Sequence, residues 1–271
     1  MNQFTYGKEV ILVRYKVMGS NGFLGSHLVS RLEALGHMVL RGSREGNIPA
    51  PVDYIIDCAA YGNFYNQTNI DEMIVVNYDR VKDLLKNAEK LQVKGIILTS
   101  TSSVTLPIQS PYSATKTLME FVGLEYAKKL PIIITRPYTI YGIGDSPNHF
   151  IPKVFDSCLN GTPIPLDPEA THDYIWVGDV VDTYIKLIED LHKFNGAIVD
   201  IGTGKAINNS AIVVMIEKLT NKKANITTLE PLRFYDIKDW KSNHPLPNAL
   251  SIYDGLTKIY DSKQRTEKAY S

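Results

Sequence analysis

Tyr112 and Lys116 stand four residues apart in the stretch YSATK, just downstream of ILTSTSS (97–103), where an apolar run gives way to hydroxyls. On a helix that spacing puts both side chains on one face a turn apart, so a phenol and an ammonium can converge on one bound molecule. The chemistry open to such a pair is proton transfer. A free phenol titrates near pH 10, and bringing it near neutrality needs about three units, roughly 4 kcal/mol of phenolate stabilisation. A neighbouring Lys116 ammonium acts in that direction.

A second stretch, GSNGFLG, places Gly19, Gly22 and Gly25 between an apolar run and a segment striped with leucine. Gly19 permits a tight turn, Gly22 lets the backbone approach a pyrophosphate, and Gly25 lets helix and strand pack closely. The N-terminus of the following helix offers free N–H groups and a partial positive charge to phosphates.

These residues need strands and helices to hold them. VILV continuing to YKVM, then HMVL, DYIID, GIILTS, PIIITRP and AIVDIG are short runs rich in β-branched residues. Near-continuous apolar runs suit strands covered on both faces, as in a parallel sheet between helices. Leu24, Leu28, Leu32 and Leu35 form a helical stripe ended by Gly36, and Leu118, Phe121 and Val122 read as another core-facing stripe. The β-α-β-α order predicts an α/β fold, a doubly wound parallel Rossmann-type sheet over residues 1–141. Residues 142–271 read as a smaller C-terminal α/β substrate region, with helices near 150–160, 179–193 and 209–220. The strand near 197–202 is a candidate to return to the main sheet.

With 29 basic and 29 acidic residues the formal net charge is zero, which disfavours nucleic acid and anionic membrane as partners. Cys58 and Cys158 have no metal-ligand spacing with histidine, so no metal is expected, and a reducing cytoplasmic setting follows. The VILV run breaks at Arg14 and is too short for a signal peptide or a membrane span.

The G-x-x-G-x-x-G loop with YxxxK downstream resembles the extended short-chain dehydrogenase/reductases, the NAD-dependent epimerase/dehydratase branch that modifies nucleotide sugars. DYIIDCAAYGN, VVNYDRVKDLL, RPYTIYG, HDYIWVGDVVD and DIGTG are similar to that family's later motifs and follow in its order. The resemblance implies a catalytic set of Thr101, Tyr112 and Lys116, with Ser100 and Ser102 as alternative hydroxyls. Tyr112 would exchange a sugar hydroxyl's proton while the nicotinamide exchanges hydride at the same carbon. It further implies cofactor contacts from Gly19, Asn21, Gly22, Phe23, Leu24, Gly25, Ala59, Ala60, Asn77, Lys116, Pro137 and Tyr138. Substrate contacts would come from Ser102, Asn148, His172 and Arg233, and the expected assembly is a homodimer.

The same resemblance narrows the reaction. The family's 4,6-dehydratases carry Asp-Glu after the threonine, where this chain has Ser102 and Ser103, and neither cysteine matches that of the 3,5-epimerase/reductases. What remains is 4-epimerisation or keto reduction of a nucleotide sugar. A non-catalytic dinucleotide-binding sensor or scaffold is the alternative. Ser43 stands where NAD-specific members place an acid, and Arg44 beside it suits a 2′-phosphate, so NADP is expected in preference to NAD.

Four departures from the pattern carry expectations. Arg14 and Lys16 limit the buried part of the first strand to Lys16–Met18. The interval from Arg44 to Asp53 leaves no room for the usual third strand, so one sheet edge should be short. Thr101 and Tyr112 are close in sequence, which trims the loop between them. His172 replaces the usual arginine.

Overall fold

Alternate residues of the apolar runs face opposite sides of one sheet, and this period of two divides the molecule into layers. The structure, a computed structural model, describes residues 12–42, 51–64, 66–229 and 237–270. Strand β1 (Arg14–Met18) leads through α1 (Phe23–Ala34) to β2 (Met38–Gly42) and β3 (Tyr54–Asp57). Helix α2 (Ile70–Ile74) runs through a π-helical turn (Val75–Asp79) into α3 (Arg80–Leu91), β4 (Gly95–Thr99), α4 (Pro111–Tyr126) and β5 (Ile132–Pro137). Then come β6 (Thr139–Tyr141), α5 (Phe150–Asn160), β7 (Ile164–Pro165), β8 (Thr171–Trp176), α6 (Val177–Glu189) and α7 (Leu191–Phe194). The chain ends with β9 (Ile198–Ile201), β10 (Ala206–Asn208), α8 (Asn209–Thr220), β11 (Ile226–Thr228) and α9 (Ile252–Tyr270).

Six strands form a parallel sheet in the order β2-β1-β3-β4-β5-β9. The fold is the expected doubly wound α/β arrangement. Val17, Ile56, Ile97 and Ile133 pack on one face with Leu28 and Leu32 of α1 and Val180 and Tyr184 of α6. Met18, Ile55, Ile96, Leu98, Ile132 and Ile134 pack on the other with Leu84, Leu85 and Met119 of α3 and α4. A third core joins α5, α8, α9 and β8 through Phe155, Tyr174, Ile212, Ile216 and Leu256.

Strand order reverses at β1, because β2 lies on one side of it and β3 on the other. Ligands of open α/β sheets sit at such switch points, outside the carboxyl ends of the strands. Among the described residues β2 is the sheet edge, with no third strand beyond it. At the opposite edge β9 pairs with β5, from Ile134↔Ile198 to Pro137↔Ile201.

Three local expectations need correction. Burial of β1 begins at Tyr15, not Lys16, because the Tyr15 ring stacks on Tyr54 at 5.6 Å and packs near His37 at 5.3 Å. The α1 stripe ends at Leu32, and Leu35 is an exposed cap residue. On α4, Leu118 and Phe121 are 45% and 68% exposed, while Thr115, Lys116, Met119, Glu120 and Gly123 face inward. The reason is Gly123, where a Cβ would stand 2.8 Å from Leu98 Cδ1, so α4 lies close on β4 and β5 along that side. The inward polar residues are stable there because each finds a partner.

Candidate functional site

The glycine loop leaves the carboxyl end of β1 at the switch point. Gly19 turns with φ +70°, and a Cβ there would meet the Ala59 nitrogen at 2.8 Å. A Cβ at Gly25 would overlap the Gly19 carbonyl. The loop therefore packs directly on the chain leaving β3. Gly19 N–H and Ser20 N–H both donate to Gly42 O, at 3.0 and 3.2 Å, which ties the loop to the end of β2. Gly22 is the N-cap of α1 and brings no side chain to it. The first-turn N–H groups, from Phe23 to Gly25, have no intrahelical acceptor and face the loop. That cradle fits a pyrophosphate. Asn21 and Gly22 are exposed at its mouth, Leu24 is buried, and Phe23 packs edge-on to His27 at 5.4 Å. Ser43 and Arg44 lie outside the described residues.

Behind Ala59 and Ala60, two buried groups fix the loop after β3. Asp57 pairs with Arg80 at 2.8 Å, both side chains about 95% buried, and the same Arg80 nitrogen donates to Ala59 O at 3.3 Å. Ala59 N–H donates to Asp57 Oδ1 at 3.2 Å. Asn77, inside the π-helical turn, is fully buried. Its Nδ2 donates to Tyr61 O and Thr115 Oγ1, and its Oδ1 accepts from Tyr61 N–H, at 2.8 to 3.0 Å. Asn77 thus joins the loop to α4 through protein bonds rather than facing the cradle.

Helix α4 starts cleanly because Ser110 accepts from Ser113 N–H at 3.2 Å and Pro111 occupies the first turn. Lys116 Nζ donates to the carbonyl of Thr99, the last residue of β4, at 2.7 Å. Tyr112 lies one turn before Lys116, near the start of α4, and the helix packs against the turn at Ser102–Thr105. Thr101 caps the short turn at Ser102–Thr105: its Oγ1 accepts from Ser103 N–H at 3.2 Å and lies 3.1 Å from Ser103 Oγ. Thr101 and Tyr112 are partly exposed, whereas Lys116 is buried. Burial lowers Lys116 to about 8, partly offset by Asp57. Burial pushes the Tyr112 phenol well above its ordinary value. The Lys116 ammonium is seated on a carbonyl, and burial is the cause of the upward shift of the phenol.

The Ser100 hydroxyl is committed to structure. Ser100 Oγ donates to Glu120 Oε1 at 2.5 Å, and Glu120 also receives Arg136 Nε and Nη2 at 2.9 and 2.6 Å. Ser102 is buried, and its carbonyl accepts from Thr105 Oγ1 at 2.7 Å. Beneath them the Tyr184 hydroxyl bridges Thr99 Oγ1 and Thr135 Oγ1, at 3.1 and 2.6 Å. Glu120 was legible in principle, because it continues the Tyr112–Lys116 face by one more turn.

The remaining candidate residues lie on or near β5, β6, α5 and β8. Pro137 ends β5, and Tyr138 donates its N–H to Ile201 O at 2.9 Å. Burial and the carboxylates Asp200 and Asp173 push the Tyr138 phenol up to about 12. Asn148 is exposed before α5. Its neighbour His149 holds Asp145 Oδ1 at 2.6 Å through Nδ1 and stacks on Phe64 at 4.9 Å, a pairing of two distant segments that spacing could not signal. His172 is buried edge-on against Trp240 and Tyr174, so its site is aromatic rather than guanidinium-like. The adjacent Asp173 is fully buried and accepts from Thr203, Gly204 and Ser242, which locks β8 to the loop after β9. Arg233 lies outside the described residues. Among the described residues no cluster of three or more metal-binding side chains occurs, and no helix is long and apolar enough to cross a membrane.

A glycine cradle at the switch point and a tyrosine–lysine helix at the end of β4 define a dinucleotide-binding α/β protein of the short-chain dehydrogenase/reductase class. The model of the NAD dependent epimerase/dehydratase family matches residues 15–202, and the chain belongs to that family. It is 27% identical over 266 residues to UDP-N-acetyl-alpha-D-glucosaminuronate decarboxylase of Bacillus cytotoxicus, covering 79% of this chain and 82% of that protein. It is 25% identical over 248 residues to CDP-abequose synthase of Salmonella typhimurium, covering 79% and 81%. Among solved structures, MoeE5 in complex with UDP-glucose and NAD superposes with a TM-score of 0.81 at 23% identity, over 94% of this chain and 99% of that one. The UDP-glucose 4-epimerase of Thermotoga maritima, with UDP-glucose, also gives 0.81, at 18% identity and the same coverages.

Proposed function

We propose that the protein is an NAD(P)-dependent epimerase or ketoreductase of a nucleotide-activated sugar, with NADP(H) favoured over NAD(H). The observation that carries this reading is Lys116 seated on the Thr99 carbonyl at the end of β4, with Tyr112 one turn before it on α4. When bound, the dinucleotide supplies the hydride acceptor or donor for one sugar carbon. Tyr112 gives its proton to the sugar's carbonyl oxygen in reduction and takes it back from the hydroxyl in oxidation. Thr101 positions that oxygen by a hydrogen bond. Lys116 holds the nicotinamide ribose and adds positive charge near the phenol. A protonated phenol suits the reductive direction, because it is ready to donate.

The glycine loop from Gly19 to Gly25 takes the pyrophosphate, and Ala59, Ala60, Pro137 and Tyr138 line the rest of the dinucleotide site. Asn77 acts through Tyr61 and Thr115 as a positioning residue. Ser43 and Arg44 follow β2, where an acid would repel a 2′-phosphate, which supports NADP(H) and with it a net reductase. Residues 142–271, apart from β9, form the substrate side, with Ser102, Asn148, His172 and Arg233 as contacts. The names of the two relatives, a UDP-sugar decarboxylase and a CDP-abequose synthase, support a nucleotide-sugar substrate. Two free cysteines support a reducing, cytoplasmic setting. Exposed Ile70, Val75, Leu118 and Phe121 on the neighbouring α2, π-turn and α4 surfaces support a homodimer through those helices.

The test is incubation with NADPH and a panel of nucleotide keto-sugars, following NADPH absorbance. Turnover with any member supports the enzyme reading. Tight NADPH binding without turnover on any member supports a sensor or scaffold instead.

A further inference from the structure

Glu120 lies on α4 one turn beyond Lys116, on the inward side of the helix. It is 5% exposed, and a carboxylate so far from water is costly unless its oxygens are filled. Three donors fill them: Ser100 Oγ at 2.5 Å and Arg136 Nε at 2.9 Å on Oε1, and Arg136 Nη2 at 2.6 Å on Oε2. The two arginine bonds form a fork, one to each oxygen, which fixes the angle of the carboxylate as well as its distance. Across the ladder Arg136 stands opposite Asp200 of β9, whose charge also favours the guanidinium.

A buried ion pair is a poor source of net stability, and well-packed aliphatic residues often serve a fold at least as well. What this pair supplies is geometry. Ser100 immediately precedes Thr101, and its own N–H donates to Thr135 O of β5 at 2.7 Å. Arg136 immediately precedes Pro137, the last residue of β5, and Tyr138 follows. Lys116, one turn back on the helix of Glu120, is seated on the Thr99 carbonyl at 2.7 Å. One carboxylate thus ties together the end of β4, the end of β5 and the helix that carries Tyr112 and Lys116.

We infer that Glu120 is a positioning residue for the reaction, acting through Ser100 on Thr101 and through Arg136 on Pro137 and Tyr138. This rests on the proposed reading of Thr101, Tyr112 and Lys116 as the catalytic set. Reacting atoms must stand about 3–3.5 Å apart, and a shift of about 1 Å caused by a substitution away from the chemistry can cost about a hundredfold in rate. Glu120 acts through its partners, so loosening them lowers turnover before it lowers substrate binding.

The test is NADPH turnover of a nucleotide keto-sugar by wild type, Ser100→Ala, Glu120→Gln and Glu120→Ala, with active sites counted by calorimetric titration of NADPH. Counting sites separates misplacement from misfolding, because a variant that folds poorly loses sites rather than turnover per site. Ser100→Ala keeps the Glu120–Arg136 pair, so it tests the inference even where Glu120→Ala strands the arginine and unfolds. Ser100→Ala is expected to lose about tenfold or more of kcat per site, with KM and the NADPH dissociation constant changed by less than about twofold. Glu120→Gln retains an acceptor oxygen for the Ser100 hydroxyl and is expected to lose less than Glu120→Ala. If wild type turns over no keto-sugar, the proposed function and this inference both fall. If wild type turns over and Ser100→Ala keeps its kcat per site, the inference alone falls. A raised KM with kcat per site unchanged also overturns it, because that pattern marks a lost binding contact.

Discussion

The ammonium of Lys116 lies 2.7 Å from the carbonyl oxygen of Thr99, so the last residue of β4 fixes the height of α4 against the sheet. Tyr112 is set by the same bond, being one turn away on a helix whose approach Gly123 permits. Lys116 is thus buried, with its charge seated on a backbone carbonyl.

The dryness that allows this bond gives the first expected outcome. Lys116 is lowered by burial to about 8, so it loses its charge as pH rises through that value, while Tyr112 stays protonated. Reductive turnover should be level below pH 8 and fall above it. Stability follows the opposite sign. The unfolded chain keeps this proton up to the ordinary lysine value of 10.5, so it binds more protons than the folded chain between about 8 and 10.5. Lys116 thus weakens the fold fully below that window and less as pH rises through it. A pH–rate profile without an alkaline fall would contradict the assignment of Lys116.

Asp57→Ala strands the Arg80 guanidinium in the interior. Removing one partner of a buried pair typically costs about 3–5 kcal/mol. Replacing both, as Asp57→Leu with Arg80→Met, should restore most of that in a denaturant titration. Cofactor affinity should stay weakened in the double variant, because Ala59 loses bonds to both side chains. Full recovery of affinity would show that the pair does not position the loop.

Two glycines of the cradle should respond differently. Gly22 has extended backbone angles (φ −78°, ψ 172°) and is exposed, so Gly22→Val should fold and lose dinucleotide binding. Gly25→Ala should lose thermal stability, since its methyl would overlap the Gly19 carbonyl. Unchanged NAD(P) affinity in Gly22→Val would remove the loop from the site.

Much of this was legible in the residues. The near-continuous β-branched runs, read as strands covered on both faces, gave the parallel sheet between helical layers, and the loop from Gly19 to Gly25 was legible as the turn between the first strand and the first helix. The α4 face was misread, because Leu118 and Phe121 are the more apolar residues while the buried side is chosen by Gly123 and by partners for Lys116 and Glu120. Tyr15 was missed for a similar reason, since its partner Tyr54 comes from another strand. Asp57–Arg80, Ser100–Glu120–Arg136 and Asp145–His149–Phe64 depend on which distant segments the fold brings together, and no local pattern encodes that.

Cofactor choice gives a further outcome. Arg44→Ala should lower affinity for NADP by about tenfold or more and leave NAD nearly unchanged, as loss of charged hydrogen bonds to a phosphate would do. Tighter binding of NAD than NADP by the wild type would move the reading toward an epimerase that retains NAD.

The central claim is that Tyr112 moves the proton, and Tyr112→Phe tests it most directly, assayed for turnover of a nucleotide keto-sugar with NADPH alongside the NADPH dissociation constant. Loss of the hydroxyl alone should remove at least about a hundredfold of turnover, the scale of general acid–base catalysis, with cofactor affinity nearly unchanged. Full activity in Tyr112→Phe would contradict the account.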